Sequence, residues 1–387
     1  MLLSPEIPIA QVPERAVVIR IDDILLIFMF FTWLAKMAIN KQLGLLRKTP
    51  INRPLAAYIF VYILSTLWGI IQGRVSPLQS FFYILKYTEY FIIFFIFANN
   101  IRKIKQVKIF SFILLLTCVF VCIYALSTRQ QFGRLTAPFE GKGEPNTLAG
   151  YLVIISAITI GQLIYSKSGA YRLFLLGLIS LIIPTFIFTT SRGGYIGFIG
   201  MYLTIILFSK RGKMVLVSIL AILILFIIFT PQIIPHVMTE RVTGTFLGSE
   251  YTVLGGKIKL DASAGWRIMV WGWIFETWQK HPLLGWGVSG LGLVDQQYAL
   301  ILGELGLVGM LVFIWLIVTI FMNALKIKNT LQREEYRGLV IGFMAGLIGL
   351  LIHSFAANIF IIVRIMEPFW FLTALVMVLP EVESVSI

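Results

Sequence analysis

An arginine stands between two long apolar runs, in the segment Thr190-Ser191-Arg192-Gly193-Gly194. A charge beside apolar helices is costly, so it indicates a function unless the side chain reaches water at a helix end. A guanidinium flanked by hydroxyl groups can hold a phosphate through two parallel hydrogen bonds. The two glycines allow a tight turn and the close approach of a ligand. The local pattern therefore favours either a phosphate ligand or a snorkelling arginine.

The composition shows which elements surround this arginine. Hydrophobic residues make up 58% of the chain and charged residues only 13%, which excludes an ordinary soluble globular protein. Most apolar runs are long enough to cross a hydrocarbon core of ~30 Å as helices, and they predict one all-α, polytopic membrane domain over residues 1–387. We place helices at about residues 24–39, 55–71, 78–98, 107–126, 147–165, 171–190, 194–208, 214–230, 299–325, 338–360 and 367–379. The first five residues are typical of the end of a further helix, which gives about 11–12 transmembrane helices.

The formal net charge of +14 follows the membrane topology. Every second loop is basic, as the positive-inside rule expects of cytoplasmic loops, and this distribution argues against a nucleic-acid partner. It also places the N-terminus and Arg192 on the external face. Further charged residues near apolar runs fall on the same face, among them Arg134, Arg267 and Arg364.

The longest loop, residues 231–298, is also external, and a loop of this length between membrane helices indicates a function. Its segment 266–280 mixes tryptophans with aliphatic and charged residues, which predicts an amphipathic helix at the outer membrane interface. The glycine-rich stretch 285–292 then predicts a compact loop that other groups can approach closely.

Four blocks in this order resemble the O-antigen ligase and polymerase family of bacterial membrane glycosyltransferases. They are residues 144–149 (Glu-Pro-Asn-Thr-Leu-Ala), residues 190–197 (Thr-Ser-Arg-Gly-Gly-Tyr-Ile-Gly), Arg267 and Trp271 followed by residues 281–287 (His-Pro-Leu-Leu-Gly-Trp-Gly), and Tyr298 followed by residues 304–309 (Glu-Leu-Gly-Leu-Val-Gly). Each block is short, and their order makes the resemblance specific. The blocks span about residues 144–309, while the flanking helices resemble the family only in general character.

The resemblance implies a GT-C-like fold and transfer of a lipid-diphosphate-linked glycan at the periplasmic face of the bacterial inner membrane. The implied donor is an undecaprenyl-diphosphate-linked oligosaccharide, whose diphosphate gains charge as the anomeric C–O bond breaks. Fixed guanidinium groups stabilise such charge in a site partly shielded from water, and we expect Arg192 and Arg267 to be catalytic in this way. The substrate-binding residues expected beside them are Arg134, Asn146, Ser191 and Arg364. No His, Cys or Asp cluster has metal-ligand spacing, so we expect arginines in place of a metal and no cofactor.

The acceptor hydroxyl needs a base or an orienting partner. Many family members, ligases especially, have a His-Asn pair three residues before the tyrosine of the fourth block, where this chain has Asp295-Gln296-Gln297-Tyr298. A carboxylate can accept a proton or hold a sugar hydroxyl, so Asp295 is one expected catalytic residue and Glu304 is another. The alternatives are a turn residue at Asp295 and an arginine partner at Glu304. We expect His281 and His353 to be structural.

The missing ligase-type histidine favours a polymerase that joins lipid-linked repeat units into O-antigen or exopolysaccharide. Its expected partners are the lipid-linked oligosaccharide, a glycan acceptor, membrane lipids and a regulator of chain length. The first alternative is a ligase that moves the glycan onto lipid A-core or a protein hydroxyl. The second is a transporter for the lipid-linked sugar, which should have broken helices and charges near the bilayer midplane. Lys86 and Glu89, within one apolar helix, are such charges, whereas the other charges gather at one face.

Overall fold

A computed structural model of the protein describes residues 3–12, 15–41, 46–128, 134–139, 143–229, 243–253, 256–292 and 294–384. Within these ranges the chain forms twelve α-helices and two β-hairpins. The helices are α1 (Ile21–Ile39), α2 (Asn52–Ile71), α3 (Pro77–Asn100), α4 (Ile104–Ser127), α5 (Pro145–Tyr165), α6 (Gly169–Thr189), α7 (Arg192–Phe208), α8 (Lys213–Phe229), α9 (Ala262–Trp278), α10 (Gln297–Thr330), α11 (Glu334–His353) and α12 (Val363–Ser384).

The helices have the length and composition of membrane spans. Eight of those described, α2 to α6 and α10 to α12, are long and apolar enough to cross a membrane, and α7 and α8 are shorter apolar helices. Each of the eleven apolar runs forms a helix over most of its length. The prediction of an all-α polytopic membrane protein is therefore confirmed. Of the loop predicted at residues 231–298, residues 231–242, 254–255 and 293 lie outside the described residues.

The core of the bundle is built by α5, α11 and α12, which are buried along most of their length. Gly161 of α5 and Gly338 of α11 face each other, and the absence of side chains lets the two backbones touch. The outer helices expose large apolar side chains, such as Phe60, Phe120 and Leu173. An exposed apolar surface of this kind suits contact with lipid.

The helix predicted over residues 338–360 ends earlier, at His353. The residues that follow are held by α10: the Gln297 N–H donates to the Ser354 carbonyl (3.2 Å), and the Gln297 Oε1 accepts from the Phe360 N–H (2.8 Å). The segment contains no glycine or proline that would mark a break. The sequence prediction was wrong here because long-range hydrogen bonds end the helix.

Two antiparallel hairpins were not predicted from the sequence. The first pairs β1 (Glu6–Val12) with β2 (Arg15–Arg20) ahead of α1, and the second pairs β3 (Ser249–Val253) with β4 (Gly256–Leu260) ahead of α9. The second has a signal that could have revealed it, because a Gly-Gly pair separates its two runs.

The helix predicted in the long loop is present as α9. Its Val270 and Ile274 are buried in a small cluster with Leu300 of α10. Its Trp266 and Trp273 point away from the bundle, with exposed fractions of 51% and 44%. Tryptophan is favoured at the membrane interface, so this outward face suits a helix that lies along the lipid surface.

The glycine-rich loop after α9 enters a break in α10. The break lies at Gly306, whose φ of 66° and ψ of −163° belong to a region that is essentially restricted to glycine. Four backbone hydrogen bonds join the loop to the broken helix: from Leu307 to Pro282 (2.9 Å), Val308 to Leu283 (3.1 Å), Trp286 to Gly303 (3.0 Å) and Gly287 to Glu304 (2.9 Å). The Pro-Leu-Leu-Gly block and the Glu-Leu-Gly block of the sequence therefore build one local structure.

Candidate anion-binding site

The turn before Arg192 is made by a threonine and not by the glycines that follow. α6 ends at Thr189, and Thr190 takes the left-handed conformation (φ 50°, ψ 31°), which is unusual for a β-branched residue. Arg134 holds this turn, because its Nε donates to the Thr190 Oγ1 (2.6 Å) and its Nη2 to the Thr190 carbonyl (3.2 Å). Arg134 thereby fixes the direction in which the chain enters α7.

Ser191 caps the N-terminus of α7 and links it to α5. Its Oγ accepts a hydrogen bond from the Gly194 N–H (3.1 Å) and donates to the Asn146 Oδ1 (2.7 Å) in the first turn of α5. Asn146 in turn donates to the Glu144 Oε1 (2.9 Å). The N-termini of α5 and α7 therefore lie side by side, and the positive ends of two helix dipoles are neighbours.

His353, at the end of α11, packs against the first turn of α7. A Cβ atom at position 193 would lie 2.6 Å from the Ala356 Cβ and 2.8 Å from the His353 Cδ2, so only glycine fits there. The His353 side chain is fully buried, and its Nε2 lies 3.5 Å from the Ser191 Oγ. Gly193 thus allows the close approach that the sequence predicts, whereas Thr190 makes the turn.

Arg192 is the first residue of α7, and 17% of its side chain is exposed. Its Nη1 lies 2.9 Å from the Asp261 Oδ2 and donates to the Thr245 Oγ1 at 2.7 Å. Its Nη2 is buried and has no hydrogen-bond partner among the described residues. Asp261 also caps α9, because its Oδ1 accepts from the Ala264 N–H at 2.9 Å. Arg192 is therefore tied to the start of α9 and keeps one donor for another acceptor.

Arg267 lies in the second turn of α9 and borders the same region. Its Nε donates to the Ala356 carbonyl (3.0 Å), and its Nη1 donates to the Ser263 Oγ (2.9 Å). Gly193, the residue after Arg192, packs against the same Ala356. The structure thus places Arg267 and the first turn of α7 against one short segment of the chain.

Glu304 contacts the glycine-rich loop. Its Oε1 accepts a hydrogen bond from the Ser289 N–H (2.7 Å), and its carbonyl accepts one from the Ser65 Oγ (2.7 Å). Ser289 has a φ of 69°, so the carboxylate holds a residue in an unfavourable conformation. These contacts give Glu304 a role in positioning the loop.

His281 begins the same loop and packs its ring against Trp286, with 4.9 Å between the ring centroids. Partial burial, with the positive charges of Arg74 and Lys280 nearby, lowers the pKa of His281. The lowered pKa favours the neutral imidazole, which suits the structural role expected from the sequence.

Asp295 is exposed on the connection between this loop and α10. The preceding residue, Val294, is buried, and its carbonyl accepts a hydrogen bond from the Asn358 side chain. Asn358 is two residues from Ala356, the residue that binds Arg267. Asp295 is therefore an exposed carboxylate on a connection that is tied to the segment after α11.

Arg364 lies in the first turn of α12, and 3% of its side chain is exposed. Its Nη1 donates to the Pro138 carbonyl (2.7 Å), and its Nη2 reaches the carbonyls of Ser4 (3.4 Å) and Phe139 (3.5 Å). Arg364 thus anchors the 134–139 segment, which also carries Arg134.

The structure assembles one part of the predicted site and adds residues to it. The predicted residues that meet around the first turn of α7 are Arg134, Asn146, Ser191, Arg192 and Arg267. Residues at the same place that the sequence analysis did not assign to the site are Thr245, Asp261 and His353. An aspartate ahead of a helical run is a capping signal that marks Asp261, but no sequence spacing connects it with Arg192.

These groups can bind an oxyanion. The first turn of α7 offers backbone N–H groups and the positive end of a helix dipole, and Arg192 and Arg267 add two full charges. Asp261 occupies one edge of the Arg192 guanidinium with a carboxylate. An entering phosphate group would exchange with that carboxylate.

One comparison with known proteins matches the part of the chain that contains this site. The family model described as O-antigen ligase matches residues 176–314. The matched segment contains Arg192, Asp261, Arg267 and the broken start of α10, and the resemblance to the O-antigen ligase and polymerase family is confirmed over it. A search of curated proteins found no match.

Proposed function

Because residues 176–314 match the O-antigen ligase family, we propose that this protein polymerises undecaprenyl-diphosphate-linked oligosaccharide repeat units in the membrane. The match supports an activity of the O-antigen ligase or polymerase type. The choice of a polymerase rests on Asp295, which stands where the ligases have a histidine. The substrate assignment rests on the chemistry of the arginine site.

The observation that carries the proposal is the placement of Arg192 and Arg267 around the first turn of α7. A diphosphate carries more negative charge than one guanidinium can balance. A pair of arginines therefore matches a diphosphate better than it matches a single phosphate. The buried Nη2 of Arg192 makes no hydrogen bond to the described residues and can donate one to the diphosphate. The backbone N–H groups at the start of α7 are further donors. A lipid-linked diphosphate could reach these groups from the membrane because the surrounding helices are apolar on their outer faces.

The reaction breaks the bond between the anomeric carbon of the donor and a diphosphate oxygen, and it forms a glycosidic bond to an acceptor hydroxyl. The electron pair of the broken bond stays on the leaving diphosphate, so charge grows there in the transition state. Arg192 and Arg267 stabilise this charge as fixed donors. The acceptor proton passes to Asp295, the exposed carboxylate ahead of α10.

The remaining site residues act on these groups or on the substrate. Arg134 positions Ser191 and Arg192 through the Thr190 turn, and Arg364 positions Arg134 through the 134–139 segment. Ser191 and Asn146 offer polar groups to the donor at the joined helix N-termini. Glu304 shapes the loop that leads to Asp295.

The proposed location is the bacterial inner membrane with the site facing the periplasm. The basic residues Arg47, Arg102, Lys167 and Arg211 lie at one set of helix ends, whereas α7 begins with Arg192 at the other. The positive-inside rule puts the first set in the cytoplasm. A thiol-labelling map of single-cysteine variants in intact cells would test this orientation.

Purified protein in lipid vesicles should convert a lipid-diphosphate oligosaccharide alone, without added metal, into longer glycan chains. Guanidinium groups supply the positive charge at the leaving group, so the transfer step has no need of an added Lewis acid. Gel separation of the products released from the lipid would show a ladder of repeat units.

Two other products would overturn the polymerase assignment. Glycan that forms only when lipid A-core or an acceptor protein is supplied would identify a ligase. Movement of intact donor across the bilayer, with no new glycosidic bond, would identify a transporter. Vesicles that contain the Arg192→Ala variant provide the matched background for both measurements.

The Asp261→Asn variant should bind the donor more tightly, with KM lowered several-fold and kcat nearly unchanged. Asparagine keeps the cap on α9, but it removes the carboxylate that competes with phosphate for Arg192. The loss of one partly exposed ion pair corresponds to about 1 kcal/mol, or roughly fivefold in KM. A large fall in kcat with unchanged KM would instead make Asp261 the base, in place of Asp295.

A further inference from the structure

Six ionisable side chains form a second charged cluster, which the proposed reaction does not use. Its members are Arg20, Asp22, Asp23, Lys86, Glu89 and Glu367, and they come from the start of α1, the interior of α3 and the first turns of α12. Lys86 and Glu89, the two charges within an apolar helix, therefore share their partners in this cluster. Its four carboxylates and two cations carry a formal net charge of −2.

Arg20 is shared among the carboxylates. Its Nη2 lies 3.0 Å from the Asp22 Oδ2, 3.2 Å from the Asp23 Oδ1 and 3.4 Å from the Glu367 Oε1. One guanidinium balances only one of these charges. Lys86 offsets one more, because its Nζ lies 3.0 Å from Asp23 and 2.9 Å from Glu89.

Several carboxylate oxygens of the cluster accept no hydrogen bond from the described residues. They include the Glu367 Oε2 and both carboxylate oxygens of Asp22, which are buried. The Glu367 side chain is 1% exposed and the Asp22 side chain 10%, so water cannot solvate them freely. Burying a carboxylate oxygen without a partner destabilises the fold unless a positive charge meets it.

Three carboxylates of the cluster converge around the Arg20 guanidinium. One carboxylate oxygen from each of Asp22, Asp23 and Glu367 lies within 4.8 Å of the other two. A cation placed among them could contact all three, since oxygen ligands of Ca²⁺ and Mg²⁺ lie at about 2.0–2.6 Å from the ion. Carboxylate oxygens suit hard divalent cations such as Mg²⁺, Ca²⁺ and Mn²⁺.

We propose that Asp22, Asp23 and Glu367 bind one divalent cation of the Ca²⁺ or Mg²⁺ class. Two positive charges cancel the formal net charge of the cluster and give a partner to the Glu367 Oε2 and the Asp22 Oδ1, which accept no hydrogen bond from the described residues. The ion would tie the start of α1 to α12. Its role is structural, because its ligands contact neither Arg192 nor Arg267 through any contact described above.

Binding of Mn²⁺, a paramagnetic substitute for both ions, tests the site. Chelator-treated wild-type protein in phosphatidylcholine nanodiscs should bind one Mn²⁺ per chain, measured at pH 7.5 from the loss of the free Mn²⁺ resonance. Competition by Ca²⁺ and by Mg²⁺, each alone, then identifies the preferred ion. Wild-type protein without stoichiometric Mn²⁺ would overturn the proposal and leave protons as the counter-charge.

Substitutions locate the bound ion. Glu367→Gln and Asp22→Asn should each weaken Mn²⁺ binding by tenfold or more, whereas Glu276→Gln, at an exposed carboxylate on α9, should bind as the wild type does. Added Ca²⁺ or Mg²⁺ should raise the thermal midpoint of the wild type and of Glu276→Gln but not that of Asp22→Asn. If Glu367→Gln does not fold, Asp22→Asn decides, and wild-type binding by that variant would refute the site.

Discussion

Alanine at position 192 should lower the rate of glycosyl transfer by at least about a hundredfold, because one fixed donor to the leaving diphosphate is lost. Arg267→Ala should have an effect of the same order, since the two guanidinium groups share the growing charge. Arg192→Lys should also be slow, because a point charge cannot make two parallel hydrogen bonds. The measurement is kcat/KM for chain extension in vesicles with a defined lipid-diphosphate oligosaccharide.

The control for these variants is Arg172→Ala, which removes an exposed arginine at the opposite end of α6 from the site. It should extend glycan at the wild-type rate. Size-exclusion profiles and thermal midpoints of all variants should match, because a loss of folding would also stop the reaction. A rate near that of the wild type for either alanine variant would remove that arginine from the mechanism.

Gly306→Ala should destabilise the protein by about 3 kcal/mol or more, enough to remove most of it from the monodisperse fraction in detergent. Position 306 has a φ of 66°, which alanine adopts only with strain, and a Cβ there would overlap the Leu283 carbonyl. The clash is with backbone, so no side-chain rotation relieves it. The expected damage includes the hydrogen bonds from Leu307 and Val308 to the glycine-rich loop.

Gly177→Ala provides the matched comparison, since it lies in α6 and a Cβ there meets no atom within 4 Å. Alanine should be tolerated at this site or should stabilise the helix by up to about 1 kcal/mol. Thermal midpoints measured by the fluorescence of the native tryptophans would compare the two variants. Equal midpoints would show that the break in α10 is not needed for stability.

The apolar helices were predictable because a membrane requires long apolar runs, and their ends fall within a few residues of those expected. The predicted helix at residues 147–165, for example, is observed as Pro145–Tyr165. The end of α11 at His353 was not predictable from composition, because Gln297 determines it from another helix. The turn at Thr190 was also unexpected, since glycine is the usual residue there and Arg134 stabilises the exception.

The candidate site remains a prediction, in which Arg192 was chosen because a charge between apolar runs is costly and Arg267 because it lies in a block that resembles the family. Contacts were not predictable where a partner comes from distant sequence. Asp261 reaches Arg192 across a long loop, and Glu367 joins Asp22 from near the other end of the chain. Spacing rules for ligands and bases describe neighbours along the chain, so they do not detect such pairs.

The Arg192–Asp261 pair has a consequence for how the site deals with the lipid around it. The most abundant anions in a bilayer are phospholipids whose phosphodiester carries one negative charge, the same charge as the Asp261 carboxylate. Such a lipid gains little electrostatic energy by displacing Asp261 from Arg192. A diphosphate carries more charge and can contact Arg267 as well, so it gains from the exchange. In the proposed reaction, the internal carboxylate would therefore disfavour bulk phospholipid relative to a lipid diphosphate.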